Sequence, residues 1–349
     1  MKEYTGKERV AAALGGGYAG GIPVSVITGA VLAKLAGFTV REYVTDVSKN
    51  FKSLLAFYER FKPDTVTAYL HTQIVSEVLG NKIEIPENSY PYIKTHFLED
   101  KRNLSKLKIP DPKWDKRMPV QLELCERAKA AITNSTVASS AGGPWNLAAD
   151  LRGVEQLLFD TVDDPGFVHE LMRFTTEVIK VWGSAIKETR VGLGLDEAYA
   201  SCSVVSPKIY REFIKPYHIE IANYFKERKT HGSLHICGYT DPIMEDMVSE
   251  GYVSLSIDSP SSLKKLVEVS QGKVTVIGNV DTTLFAQGSK EEIEAAVKEC
   301  LKIAAPGSRY ILSSGCELPL NATADRINYF MEAGRRYGCY ENLQALLAE

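Results

Sequence analysis

Short apolar runs of β-like composition recur along the chain and alternate with stretches of helical period. That alternation limits the fold more than any other feature. Eight runs qualify: Ile22–Ile27, Thr65–Leu70, Thr136–Ala141, Leu195–Ser201, Ser233–Cys237, Val253–Asp258, Val274–Val280 and Tyr310–Ser314. Between them, Asp164–Lys187, Ser206–Arg228 and Lys290–Ile303 space their apolar residues as helices do. They open with Asp-Pro, Ser-Pro and an acidic first turn, which are helix-start signals. Strands alternating with helices give parallel βαβ units, and eight such units predict a (β/α)8 TIM barrel. An open doubly wound sheet is the competing architecture. It asks for a glycine-rich phosphate loop after an early strand, and Gly15-Gly16-Gly17 follows no strand.

The 349 residues suit one large α/β domain, so residues 1–349 are expected to form a single barrel. The connection from Leu70 to Thr136, about 65 residues, is too long for a plain barrel loop. Within it, Lys82 to His96 has the pattern of a β-hairpin with a polar turn near Pro86–Ser89, an insertion after strand 2. This insertion should form a cap over the mouth (approximately residues 71–120), joined by N-terminal helices around Lys7–Leu14 and Arg41–Phe61 (within residues 1–62). A net charge of −3, with both signs mixed, gives no reason to expect a nucleic acid or an anionic membrane as partner. No apolar run approaches the roughly 20 residues needed to span a bilayer. Six irregularly spaced cysteines without a signal peptide predict a reducing, cytoplasmic setting.

Barrel active sites form at the C-terminal ends of strands, and here several such ends are polar. His235 and Cys237 end strand five, Asp258 ends strand six, Asn279 and Asp281 end strand seven, and Cys316 and Glu317 end strand eight. Side chains at i and i+2 of a strand share a face, so His235 and Cys237 can meet one ion. With Cys316 they make the Cys₂His set that zinc takes when a fourth position stays open for chemistry. The plainer alternative is two core cysteines and a hydrogen-bonded histidine. Asp258, Asn279 and Asp281 could equally cap loops and helices. His71 follows strand two. Tyr69, Tyr199 and Trp145 could receive an aromatic ring near the strand ends, whereas Cys202 reads as packing.

Five segments then resemble one group of proteins. They are Ala141–Ala148 (Ala-Gly-Gly-Pro-Trp-Asn-Leu-Ala), Ser206-Pro207 with Pro216-Tyr217, Leu234–Gly238, Val276–Asp281 and Ser314–Pro319. Together they are similar to the uroporphyrinogen decarboxylase superfamily, from about Gly6 to Gly338. The resemblance implies a (β/α)8 barrel with an N-terminal cap. The decarboxylase branch carries an arginine-rich motif for substrate carboxylates, but the matching stretch here, Pro23–Lys34, has no arginine. Its substrate-binding Asp is replaced by His71, ahead of Ile74–Gly80. A tetra-acidic substrate without arginines to receive it is a poor match.

The other branch consists of zinc methyltransferases that work with corrinoid proteins. Their His-x-Cys…Cys signature maps onto His235, Cys237 and Cys316. The resemblance implies Zn2+ on those residues, with Glu317 as a possible fourth ligand. Asp258 would orient the histidine, and His71 and Asn279 would contact substrate. The expected reaction moves a methyl group from a methoxylated (aryl methyl ether) substrate to cob(I)alamin, with zinc acting as Lewis acid on the leaving oxygen. Three alternatives stay open: methylcobalamin:thiol transfer of the coenzyme M type through a zinc-held thiolate, a metal-free decarboxylase-like lyase, and a non-catalytic binding barrel with structural zinc. No segment resembles a cobalamin-binding domain. The corrinoid is therefore expected on a separate protein that docks transiently at the barrel mouth.

Overall fold

The computed structural model describes residues 3–307 and 309–348. Strands are β1 (Thr65–Thr67), β2 (Lys82–Glu84), β3 (Tyr92–Thr95), β4 (Thr136–Ser140), β5 (Gly192–Asp196), β6 (Gly232–Ile236), β7 (Ser254–Ile257), β8 (Thr275–Val280) and β9 (Tyr310–Ser314). Among the described residues, seven of them form one parallel sheet in the order β1-β4-β5-β6-β7-β8-β9. Neighbours in sequence are neighbours in space, with helices as crossovers, as βαβ chemistry requires. Residues from all seven strands line a single cavity, so the sheet is curled around it. Among the described residues no helix is long and apolar enough to cross a membrane.

The run Ile22–Ile27 is not a ladder strand. It makes isolated parallel bridges, Val24 with Leu312 and Ile27 with Glu317. Ser25 N–H donates to Leu312 O at 2.9 Å, and Leu312 N–H donates to Pro23 O at 2.9 Å. On the other side, Asp64 N–H donates to Val24 O at 2.9 Å and Thr65 N–H to Ser25 Oγ at 3.0 Å. The segment thus lies between β9 and β1. Pro23 has no N–H to give, and side chains take the place of several ladder bonds, which explains the broken pattern.

Three expectations shift. Strand four begins at Gly192 and ends at Asp196, and Ala198–Ala200 is a 3₁₀ turn; Gly192 and Gly194 hide the strand's start from any hydrophobic pattern. The helix expected over Ser206–Arg228 is interrupted by a π-turn at Tyr210–Ile214, just ahead of Lys215–Glu227. Pro216 lacks the N–H and crowds the carbonyl four residues back, so the preceding turn widens. The helix Gly6–Gly15 does not join the cap. Its Ala13 carbonyl accepts from Thr275 Oγ1 at the start of β8, and Leu14 O accepts from Arg309 just before β9. It therefore sits under the N-terminal ends of the strands.

Other segments reach residues just beyond the C-terminal ends of β9 and β1. β2 and β3 pair antiparallel, Ile83 opposite Ile93. The loop between them brings Tyr90 Oη to 3.5 Å from Leu318 O. The helices Val40–Thr45 and Val47–Phe61 are split at Asp46, which caps the second by accepting from Ser48 N–H. Tyr43 and Asn50 from this pair donate to Tyr69 O beyond β1, at 3.2 and 3.0 Å.

The interior departs from an ordinary barrel core. Large branched residues usually fill it, but Thr65, Thr67, Ala138, Gly192, Gly194 and Ser254 line it here. The resulting cavity is about 800 Å³. An empty apolar void of that size would cost on the order of 20 kcal/mol at ~24 cal/mol per Å³, more than a domain's whole stability of about 5–15 kcal/mol. The cavity is therefore solvated or filled. Its rim carries Gly15, Lys229 and His231, all exposed.

Candidate metal centre

His235 lies on β6 facing the interior, and Cys237 follows two residues later on the same side. Cys316 arrives from the end of β9. His235 Nε2 stands 3.1 Å from Cys237 Sγ, Cys237 Sγ stands 3.3 Å from Cys316 Sγ, and Cys316 Sγ stands 3.8 Å from His235 Nε2. The two sulfurs are too far apart for a disulfide, which needs about 2.05 Å. Among the described residues this is the group whose ligand atoms all lie within 4.8 Å of one another.

Two glycines make the approach possible. Gly238 sits at φ +64°, and a Cβ there would lie 2.8 Å from Ser203 Oγ. A Cβ on Gly315 would lie 2.7 Å from Ser259 N. Each follows or precedes a cysteine, so a larger residue at either place would push a sulfur away.

His235 Nδ1 is hydrogen-bonded to Ser256 Oγ at 2.9 Å. With Nδ1–H donating to that hydroxyl, Nε2 turns its lone pair to the cysteines. The expected partner, Asp258, is engaged elsewhere. Its Oδ2 accepts from Gly238 N–H at 3.0 Å and its Oδ1 from Ser259 N–H at 2.7 Å. Asp258 thereby holds the turn after Cys237, and Ser256, two residues earlier, holds the imidazole. A hydroxyl on a strand carries no sequence signal for this task.

The three groups polarise one another. A hydrogen bond from Cys237 holds the Cys316 thiol below its usual range against the opposing effect of burial, and His235 adds to the lowering. The same hydrogen bond, followed by burial, pushes Cys237 up. Burial opposes charge on His235, but its hydrogen bond to Cys316 and that sulfur's charge outweigh it and raise the imidazole. Two thiols and an imidazole competing for protons are the donor set that a soft divalent cation relieves by replacing them. The residues present therefore fit zinc.

The remaining expected residues divide. Glu317 does not join the metal group. Its Oε1 accepts from Ala30 N–H at 3.3 Å, and burial, then the nearby Cys316 charge, push it up to about 7. Asn279 donates both amide protons to Asp258 O and Ser261 O, at 3.1 and 2.8 Å, so its amide is spent on a loop. Trp145 is buried at 1% exposure, with Nε1–H on Tyr199 O, so its ring packs in the core and faces no ligand. His71 is 5% exposed, and neither ring nitrogen has a partner among the described residues. Burial, then the Arg117 charge, lower it to about 4, so it is neutral. Tyr69 and Tyr199 do share a small pocket of about 100 Å³ with Asn146, Asp150 and Asp196.

Sequence reasoning overlooked Asp196 and a buried network. Asp196 ends β5 in register with His235 and lines both the small pocket and the large cavity. The next residue, Glu197, is fully buried. It accepts from Trp145 and Asn146 N–H at 2.9 and 2.8 Å and lies 3.2 Å from His218 Nε2. His218 Nδ1 meets Glu250 at 3.1 Å, and Tyr210 Oη–H donates to Glu250 at 2.6 Å. Burial disfavours charge on His218, but Glu250 and Glu197 outweigh it and push the imidazole up to about 10. A strand end followed by Asp-Glu was the available signal.

Residues 5–337 match the family described as Uroporphyrinogen decarboxylase (URO-D). The chain belongs to that family. Its similarity to family members extends to both branches. It is 22% identical to the methylcobamide:CoM methyltransferase MtaA of Methanosarcina barkeri, over 97% of this chain and 99% of that protein. It is 26% identical to the uroporphyrinogen decarboxylase of Prochlorococcus marinus, over 80% of each. A solved methyltransferase from Methanosarcina mazei superposes with a TM-score of 0.86 at 24% identity, covering 96% of this chain and 99% of that one. The family expected from the motifs is met, and of the expected fold the curled parallel α/β sheet is shared with that methyltransferase.

Proposed function

We propose that this protein is a zinc-dependent methyltransferase working with a corrinoid protein. The convergence of His235, Cys237 and Cys316 carries this reading, because three soft or borderline donors lie within 4.8 Å of one another. Residues 1–349 act as one domain. Ile22–Ile27 takes the place of the barrel's remaining strand, so that the curled sheet closes as a (β/α)8 barrel. The hairpin and the helices Val40–Phe61 form its cap. The corrinoid protein docks transiently over that mouth, in the cytoplasm.

The favoured reaction is demethylation of a methyl ether: R–O–CH₃ + Co(I) + H⁺ gives R–OH + CH₃–Co(III). A zinc ion on the three ligands supplies Lewis acidity toward the leaving oxygen. Ser256 fixes the imidazole, and Asp258 fixes the Cys237–Gly238 turn. The pocket of Tyr69, Asn146, Asp150, Asp196 and Tyr199 flanks the site with carboxyls and phenols, and among the described residues no lysine or arginine lines it. That composition suits a neutral, oxygen-bearing substrate better than the sulfonate of a coenzyme M-type thiol. Thiol transfer is the second reading, supported by the names of the methanosarcinal relatives.

Elemental analysis of wild type and Cys316→Ala tests the proposal. We expect about one zinc per chain in wild type, and its loss in the variant, together with a fall in methyl transfer to cob(I)alamin of more than about a thousandfold. Zinc-free wild type would return the chain to the metal-free lyase reading. Zinc bound, with Cys316→Ala losing its fold along with the metal and no turnover of ethers or thiols, would favour the structural-zinc barrel.

A further inference from the structure

The large cavity runs inside the curled sheet from one end of the strands to the other. At the lower end it is lined by Leu14, Gly15, Lys187, Lys229 and His231. At the upper end it reaches Asp196 and the hydrogen-bonded pair His235–Ser256. It thus meets the back of the metal-binding imidazole, on the side away from the cysteines. Asp196 also lines the small pocket that holds Tyr69 and Tyr199, so this one residue borders both spaces.

The middle of this bore is hydroxyls, glycines and carbon. Thr67, Ala138 and Gly192 stand side by side in register across β1, β4 and β5. Among the described residues, no charged side chain lines it between the lysines at the base and Asp196 at the top. Its volume of about 800 Å³ is within the range of small-molecule sites. An anion entering from below would leave the base lysines only to meet a carboxylate. A neutral molecule with an apolar body and an oxygen meets no such barrier.

We propose that this bore is a second way in, by which a neutral, mostly apolar methyl-bearing substrate reaches Asp196 and the metal centre from the N-terminal face. The inference rests on the methyltransferase reading and answers a problem that reading creates. A corrinoid protein seated on the mouth covers the path from above, and the methyl donor must still enter and its demethylated product leave. A bore opening at the opposite face lets both partners occupy the enzyme together.

Two measurements on the zinc-loaded protein test it, with anisole (methoxybenzene) as probe. The first is a crystal structure of wild type soaked with anisole, which we expect to show the probe within the bore beside Ala138 and Gly192. The second is steady-state kinetics of Ala138→Leu, which fills the bore at mid-height and leaves the metal ligands alone. The KM for the methyl ether should rise about tenfold, with the KM for the corrinoid protein unmoved. Should Ala138→Leu fail to fold, Gly194→Ala serves instead. Its added methyl meets nothing closer than Ser139 O at 3.7 Å, and the KM should move the same way by a smaller factor.

Anisole found only at the mouth, or an unchanged KM in a folded bore-filled variant, overturns the proposal. Either result leaves the function reading standing if wild type holds zinc and transfers methyl groups. Absence of zinc and of turnover sinks the function reading on separate grounds, and the route with it.

Discussion

The cluster Glu197–His218–Glu250–Tyr210 beside β5 and the cluster His235–Cys237–Cys316 at the ends of β6 and β9 both withdraw ionisable groups from bulk water, but they complete their bonding differently. In the first, each ring nitrogen of His218 faces a carboxylate, Glu250 also takes a phenol, and Glu197 also takes two backbone N–H groups. Opposite charges and donors are matched, and its side chains are closed to solvent and to ligand. In the second, the sulfurs and Nε2 have, among the described residues, one another at 3.1–3.8 Å. The bond from His235 Nδ1 to Ser256 turns the imidazole so that its other nitrogen faces the sulfurs. A satisfied cluster holds a fold together, and an unsatisfied one of the right donors awaits a ligand.

Breaking the closed cluster should give the largest stability effect. Glu250→Ala strips one of two carboxylates from a fully buried imidazole and leaves His218 Nδ1 and the Tyr210 hydroxyl without that acceptor. A loss of about 3–5 kcal/mol in urea unfolding is expected, with zinc content per folded chain unchanged. Equal stability of variant and wild type would show that the network contributes nothing to the fold.

The pH dependence sharpens the same contrast. His218 titrates near 6.5 when unfolded and is pushed up to about 10 in the fold. A raised folded value means that the protonated form is favoured by folding. Its contribution is complete below about pH 6.5, declines above that, and is lost as pH rises through about 10. The stability difference between wild type and His218→Gln should therefore shrink by about 3–4 kcal/mol between pH 7 and 10. A difference that stays flat over that range would mean that the imidazole is neutral in the fold.

The open cluster should respond mildly at its edge. Ser256→Ala keeps all three ligands and removes only the hydroxyl on His235 Nδ1. Zinc affinity should fall by roughly 10–100-fold in a competition titration with a chelator, with the midpoint of urea unfolding of the metal-free protein nearly unmoved. A change in folding without a change in affinity would place Ser256 in the scaffold.

Much of this was legible in the chain, and the parts that were not share a cause. Period-two and period-3.6 patterns located most of the parallel strands and the long helices, and the polar turn near Pro86–Ser89 marked the β2–β3 hairpin. The pattern misled at Leu195–Ser201, where inward glycines hid the start of β5, and at Ile22–Ile27, where Pro23 broke a ladder without moving the segment. In the site, Cys316 was legible from its place at a strand end and from its motif. Asp258 was assigned to the imidazole because its chemistry suited the role, and Trp145 to the pocket because its ring did. Composition says which groups can interact, whereas register says which do.

By itself the sequence determined that strands and helices alternate, that His235 and Cys237 share a face, and that a glycine stands beside each cysteine of the candidate metal set. Those are properties of neighbours, and the backbone's own geometry enforces them. Only the tertiary structure decided that Cys316 closes on Cys237 across 79 residues, that Ser256 rather than Asp258 meets His235, and that small residues from seven strands leave a bore along the axis. Each of those depends on how far the sheet curls and how neighbouring strands slide. Both are set by the summed packing of the whole chain, and no local pattern records them.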